Sequence, residues 1–123
     1  MNIVAGSTVR PLVQDEHRLG GRQGHRLAAI NQRLKDFYDA RPAYNRMAPL
    51  RLGNLEHDGW ACLSGAVVKA ANTRALSPFL VELCAEFYND EDDEYQRFVS
   101  RYCRANDQFY SILYGAETLF VSF

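Results

Sequence analysis

Long apolar runs, cysteine motifs and targeting segments are all scarce in this 123-residue sequence. No stretch approaches the ~18 consecutive apolar residues that a membrane-spanning helix needs, which excludes an integral helical membrane protein. We therefore predict no membrane among the partners of this chain. The first residues hold neither a basic segment nor a long apolar one, so we predict no secretory signal. With 47% hydrophobic and 24% charged residues, the composition is globular and excludes disorder over most of the chain.

The three cysteines do not belong to any common motif. Cys62, Cys84 and Cys103 lie about twenty residues apart, and no Cys-x-x-Cys occurs. An odd number without a disulfide framework indicates a reducing compartment, so we predict an intracellular protein, cytoplasmic or nuclear. His57, five residues before Cys62, is the one histidine whose spacing from a cysteine along the sequence suits a pair of metal ligands. One such pair does not complete a zinc site, which needs four ligands. The sequence therefore predicts no metal and no cofactor.

Common catalytic motifs are also missing. The chain has no Gly-x-Ser-x-Gly elbow and no phosphate loop ending in Gly-Lys-Ser/Thr. The adjacent His57 and Asp58 have acid–base potential, but such neighbours in a glycine-bounded loop are more often surface residues than a catalytic dyad. The acidic run at 90–94 does not match an EF-hand, because the sixth and twelfth positions counted from Asp90 hold tyrosine and arginine. The sequence favours a non-enzymatic protein with no catalytic residues.

Arginine outnumbers lysine twelve to two and is unevenly placed. The first 51 residues carry nine basic and four acidic side chains, whereas the remainder carries five basic and eleven acidic ones. Residues 1–25 contain glycines and a proline without a helical period, which predicts a flexible N-terminal arm. Arginine suits phosphate groups, so this arm is a candidate nucleic-acid contact. The candidate residues are Arg10, Arg18, Arg22 and Arg26.

After the arm, apolar residues recur at steps of three and four, which predicts an all-α domain over 26–123. The principal helices are expected at about 26–40, 66–89 and 91–114. Pro78 either kinks the second helix or separates two helices. The short link after the second helix predicts an antiparallel helical hairpin packed on the first. Its core is predicted to contain Phe79, Leu83, Phe87, Phe98, Tyr102 and Phe109.

Two function classes remain. Wide apolar helix faces favour a helical interaction or scaffold domain that binds a protein partner or associates with itself. The alternative is a nucleic-acid-associated protein that uses the arginine arm, although a pI near 6.3 lies well below the ~9 typical of such domains. The apolar ending at 119–123 predicts either a tail docked into the core or a chain that is part of a larger protein.

Overall fold

The computed structural model describes residues 3–41, 46–57, 60–61 and 76–121. Helices dominate this part of the chain, and the predicted all-α class is confirmed. The helices are α1 (Ile3–Gln14), α2 (Glu16–Leu19), α3 (Gln23–Asp39), α4 (Ser77–Phe87) and α5 (Glu94–Val121). A 3-10 turn at Leu52–Asn54 precedes two-residue strands at Glu56–His57 and Trp60–Ala61, which pair antiparallel. No helix in the described ranges is both long and apolar enough to cross a membrane.

Residues 3–14 form α1, so the predicted flexible arm is wrong for this segment. Ala5, Val9 and Leu12 follow the helical period at steps of four and three, and all three are buried in the core. Pro11 lies inside the helix and obscures this period at the sequence level, because proline usually ends a helix. The free energy gained by burying one face of α1 thus outweighs the cost of a proline inside the helix.

Side chains from the other end of the chain support α1 at its proline. Pro11 has no N–H to donate to the carbonyl of Ser7, four residues earlier. The Tyr95 hydroxyl donates to that Ser7 carbonyl oxygen at 2.8 Å. The Tyr88 hydroxyl donates to the neighbouring Thr8 carbonyl oxygen at 2.7 Å. The hydrogen bond from Tyr95 satisfies the carbonyl that the proline leaves without its helical donor, and the hydrogen bond from Tyr88 adds a second tertiary contact beside it.

A tight turn reverses the chain between α2 and α3. Gly20 and Gly21 have φ angles of 65° and 71°, in the left-handed region that glycine enters without steric cost. A Cβ at Gly21 would lie 2.8 Å from the His25 ring. The reversal lets α3 pack on α1.

The helix predicted at 26–40 is confirmed as α3, which also includes the three preceding residues. Its core face meets α4, where the Phe37 ring lies 5.4 Å from the Phe79 ring. At the rim, Arg33 forms an ion pair with Glu86 at 2.8 Å. α3 and α4 therefore share both an apolar contact and a charged rim.

α4 and α5 form the predicted antiparallel hairpin. The Tyr88 ring, just after α4, lies 6.3 Å from the Tyr95 ring near the start of α5. Cys84, one turn earlier in α4, is hydrogen-bonded to Cys103, two turns further along α5. This pairing of earlier with later residues fixes the antiparallel direction.

The helix boundaries differ from the prediction at several points. Pro78 lies in the first turn of α4, a position that tolerates proline because its N–H would be unpaired there. The earlier part of the predicted second helix, 66–75, lies outside the described residues. α5 continues to Val121 rather than ending near 114.

Candidate interaction surface

The acidic run at 90–94 supplies the start of α5. The Asp93 Oδ1 accepts a hydrogen bond from the Gln96 N–H at 3.0 Å, which is the N-cap arrangement. The Asp90 Oδ1 accepts one from the Asp92 N–H, also at 3.0 Å. Negative charge at this position also complements the positive end of the helix. Both carboxylates are engaged in local backbone contacts.

One face of α5 is buried against α4 and α1, and a chain of hydrogen bonds links the three helices there. The Thr8 hydroxyl donates its single proton to the Val4 carbonyl oxygen at 2.8 Å. The 3.1 Å contact between Thr8 Oγ1 and Cys103 Sγ therefore has the Cys103 thiol as donor. The hydrogen bond to Cys103, together with burial, raises the pKa of Cys84. Both thiols are buried, as free cysteines usually are.

A second face of α5 is apolar but exposed. The prediction that Phe98, Tyr102 and Phe109 lie in the hairpin core is wrong, because these side chains are 64%, 54% and 61% exposed. Tyr95 at 48% and Ile112 at 66% extend the same row. We term these five side chains the α5 stripe.

The two faces of α5 arise from adjacent positions in the sequence. Buried Val99 directly follows exposed Phe98, and buried Cys103 directly follows exposed Tyr102. One residue corresponds to a rotation of about 100° around a helix axis, so the two rows point in different directions. The hairpin covers the row with the smaller side chains. Periodicity detects both rows, but it does not determine which one the tertiary structure buries.

The α5 stripe has the spacing of a helix–helix seam. With exposed Ala105 included, its positions alternate strictly by three and four residues. This alternation averages 3.5 residues, the repeat found where one helix packs along another. The rings of Phe98 and Tyr102 stack with centroids 5.9 Å apart and an angle of 29°. The stripe is therefore an ordered row along one side of the helix.

An apolar groove of about 230 Å³ borders the stripe where α1 approaches α5. α1 contributes its first two turns to the groove, and α5 contributes both its buried and its exposed row. The lining residues are Val4, Ser7, Thr8, Phe98, Val99, Tyr102 and Cys103. The groove offers a recess for a large apolar side chain beside the stripe.

The other border of the stripe is basic. Arg97 and Arg101 lie next to Phe98 and Tyr102, where all four line one shallow surface depression. The same arginines also reach a wider cleft of about 580 Å³ between α4 and α5. Carboxylates at 90–92 line that cleft as well, so its charges offset one another.

Arg26, one of the four candidate nucleic-acid contacts, is a structural residue. It is 7% exposed, and its Nε donates to the Val13 carbonyl oxygen at 2.6 Å. Its Nη2 donates to the Gln14 carbonyl oxygen at 3.4 Å, and its Nη1 donates to the Gly21 carbonyl oxygen. The Val13 and Gln14 carbonyls lie at the end of α1, where a cation is favoured by the negative end of the helix, and the Gly21 carbonyl lies in the turn before α3.

The other three candidate arginines are placed differently. Arg18 is partly buried, with its guanidinium carbon 4.8 Å from the centroid of the Tyr88 ring. Arg10 is also partly buried on α1, whereas Arg22 is exposed just before α3. Of the four arginines, one is buried and two are partly buried, which weakens the nucleic-acid alternative.

The remaining chemistry-bearing candidates do not assemble into a reactive site within the described residues. Glu82 and Glu86, a carboxylate pair on one turn of α4, do not face each other. Glu86 pairs with Arg33 of α3, and Glu82 pairs with Arg41, just after the end of α3. The described residues contain no group of three metal-ligating side chains. Asp58, Cys62 and the side chain of His57 lie outside the described part of the chain.

Comparison of the chain with known protein families, curated proteins and solved structures finds no match. Sequence reasoning found the aromatic residues of α5 but assigned them to the core. Adjacent apolar positions such as Phe98 and Val99 do not by themselves signal a second face, because α3 buries the adjacent Phe37 and Tyr38 together.

Proposed function

We propose that this chain is a helical protein-interaction domain that binds an apolar-faced helix along the α5 stripe. The observation that carries the proposal is the exposure of five large apolar side chains in one row. Contiguous apolar patches are rare on proteins that work alone, because each exposed Å² costs about 25 cal/mol relative to burial. A patch of this kind is typical of a surface that a partner covers.

The size of the stripe is adequate for specific binding. Aromatic side chains each bury roughly 150–250 Å², and about half of each stripe side chain is accessible. The stripe therefore offers roughly 600 Å² of apolar surface, close to the ~800 Å² that one partner contributes to a standard interface. The groove beside α1 adds further contact area.

The spacing of the stripe determines the kind of partner. A helix with apolar residues alternately three and four apart inserts its side chains between those of the stripe. An extended peptide instead needs a free strand edge for its backbone hydrogen bonds, which α5 does not provide. The favoured partner is thus a second amphipathic helix.

A synthetic helix tests this proposal. The probe is a fluorescent peptide of about four heptads with leucine at both seam positions and charged residues elsewhere. Titration of the full chain into trace peptide should give saturable binding by fluorescence anisotropy. Phe98→Glu should weaken binding at least about tenfold, because it places a charge in the apolar contact. Ser111→Glu, an exposed position of the same helix outside the stripe, should have little effect.

Two results would refute the interaction surface. One is the absence of peptide binding by a full-length chain that is folded and monomeric under the same conditions. The other is equal loss of binding in Phe98→Glu and Ser111→Glu, which would point to a general charge effect. Circular dichroism of both variants establishes that each is folded.

A further inference from the structure

We infer that the helix that covers the α5 stripe is α5 of a second copy of this chain, packed antiparallel in a two-fold symmetric dimer. This inference rests on the proposed function, because it uses the same surface. It adds the identity of the partner, the direction of the partner helix and the pairing of the side chains.

The stripe is complementary to itself in this direction. A two-fold axis between Tyr102 and Ala105 pairs the larger tyrosine with the smaller alanine of the other copy. Symmetry makes every contact occur twice, since residue i meets j and residue j meets i. The other pairs of facing side chains along the seam are Tyr95 with Ile112 and Phe98 with Phe109. All six seam positions from 95 to 112 are then used, and each large side chain has a partner.

Charge selects the antiparallel direction. A parallel dimer would place two acidic runs at 90–94 next to each other, with ten carboxylates at one end of the seam. The antiparallel dimer places residue 94 opposite residue 113, so these runs are separated by the distance from 94 to 113, about 28 Å at 1.5 Å per residue. That distance exceeds the screening length of about 8 Å at physiological salt. The opposed helix dipoles also favour this direction.

The groove between α1 and α5 fits the same arrangement. It borders Phe98, which lies opposite Phe109 of the second copy. The incoming phenylalanine would therefore contact Val4 and Ser7 of α1 as well as the stripe. Two stripes of roughly 600 Å² bury about 1,200 Å² in total, which reaches the range of stable interfaces before the groove is counted.

The first test is the oligomeric state of the full chain. Sedimentation velocity over a range of concentrations should show a monomer–dimer equilibrium. Phe109→Glu should raise the dimer Kd at least about a hundredfold, because each dimer contains the substitution twice. Ser111→Glu, also on the exposed part of α5, should change Kd by less than about threefold.

The second test is the direction of the helices. Under mild oxidation, a mixture of Phe98→Cys and Phe109→Cys chains should form an intermolecular disulfide. Neither variant should form one alone, because each new cysteine meets a phenylalanine of the other copy. The unsubstituted chain, which retains its native cysteines, is the control for background cross-linking.

The outcomes separate this inference from the proposed function. A chain that stays monomeric but binds the leucine peptide would refute the dimer and leave the interaction surface supported. A chain that neither dimerises nor binds the peptide would refute both. A dimer that cross-links through Phe98→Cys alone, or that tolerates Phe109→Glu, would refute the antiparallel seam.

Discussion

At the scale of single residues, polar side chains hold the backbone in places where the local sequence is unfavourable. The Tyr88 and Tyr95 hydroxyls donate to α1 carbonyls near Pro11. The ordinary pKa of a tyrosine already lies well above neutral, and burial raises the pKa of both phenols further, so both are donors at neutral pH. Asn31 plays a similar part for a loop, since its amide donates to the Leu50 carbonyl at 2.9 Å and its oxygen accepts the Leu50 N–H at 2.8 Å. These contacts join segments that lie far apart in the sequence.

Arg26 provides a test at this scale. Arg26→Lys should reduce the free energy of unfolding by about 2–3 kcal/mol, because a lysine does not reproduce the planar fork that reaches three carbonyls. Urea unfolding monitored by circular dichroism measures this change. Arg22→Lys, at an exposed position, should cost less than about 0.5 kcal/mol. Equal losses in the two variants would mean that the guanidinium of Arg26 does not stabilise the end of α1.

At the scale of elements, α5 differs from α3 and α4 because it has two apolar faces. α3 and α4 each bury one face and place charged residues at the rim. The hydrogen bonds that Arg33 donates to Glu86 raise the pKa of Arg33, and the Arg41–Glu82 pair at 2.7 Å lies on the same rim. These side chains are one-third to one-half exposed, so they contribute little stability and mainly orient α3 on α4.

Phe79 of α4 and Phe98 of α5 lie in different environments, so we expect their truncation to alanine to have unequal effects on stability. Phe79→Ala should cost about 3–5 kcal/mol, because Phe79 is buried in the core. Phe98→Ala should cost less than about 1 kcal/mol, because its side chain is already largely in water. Chemical unfolding at concentrations where the chain is monomeric measures both. A cost for Phe98→Ala close to that of Phe79→Ala would place the stripe in the core.

At the scale of the whole molecule, α1 lies at the centre of the packing. It contacts α3, α4 and α5. Its buried residues belong to the same cluster as Ile30 of α3 and Leu83 of α4. The N-terminal helix is thus part of the domain and not an appendage to it.

Removal of α1 should therefore unfold the domain. Deletion of residues 1–14 should abolish cooperative thermal unfolding, because it removes a helix from the core and exposes the faces it covers. A point variant makes the same test without truncation. Val9→Glu should lower Tm strongly, whereas Gln14→Glu, exposed on the same helix, should change it little. A truncated chain with an unchanged cooperative melt would restore the flexible-arm interpretation.

The sequence alone determined the fold class and the position of α3, and it placed much of α4 and α5. The physical reason is that one-sided apolar periodicity and capping signals are local properties, readable within a few turns. Asp93 before α5 and Pro78 at the start of α4 are such signals. The aromatic residues of α5 were also identified as important, although their environment was not.

Only the tertiary structure decided the role of α1, the place of Arg26 and which face of α5 is covered. Residues 3–14 are helical because distant side chains bury one face and bind the carbonyls near Pro11. Phe98 is exposed because the hairpin buries the adjacent Val99. Both outcomes depend on contacts between segments far apart in the chain, and the free energy of such contacts is absent from any local pattern.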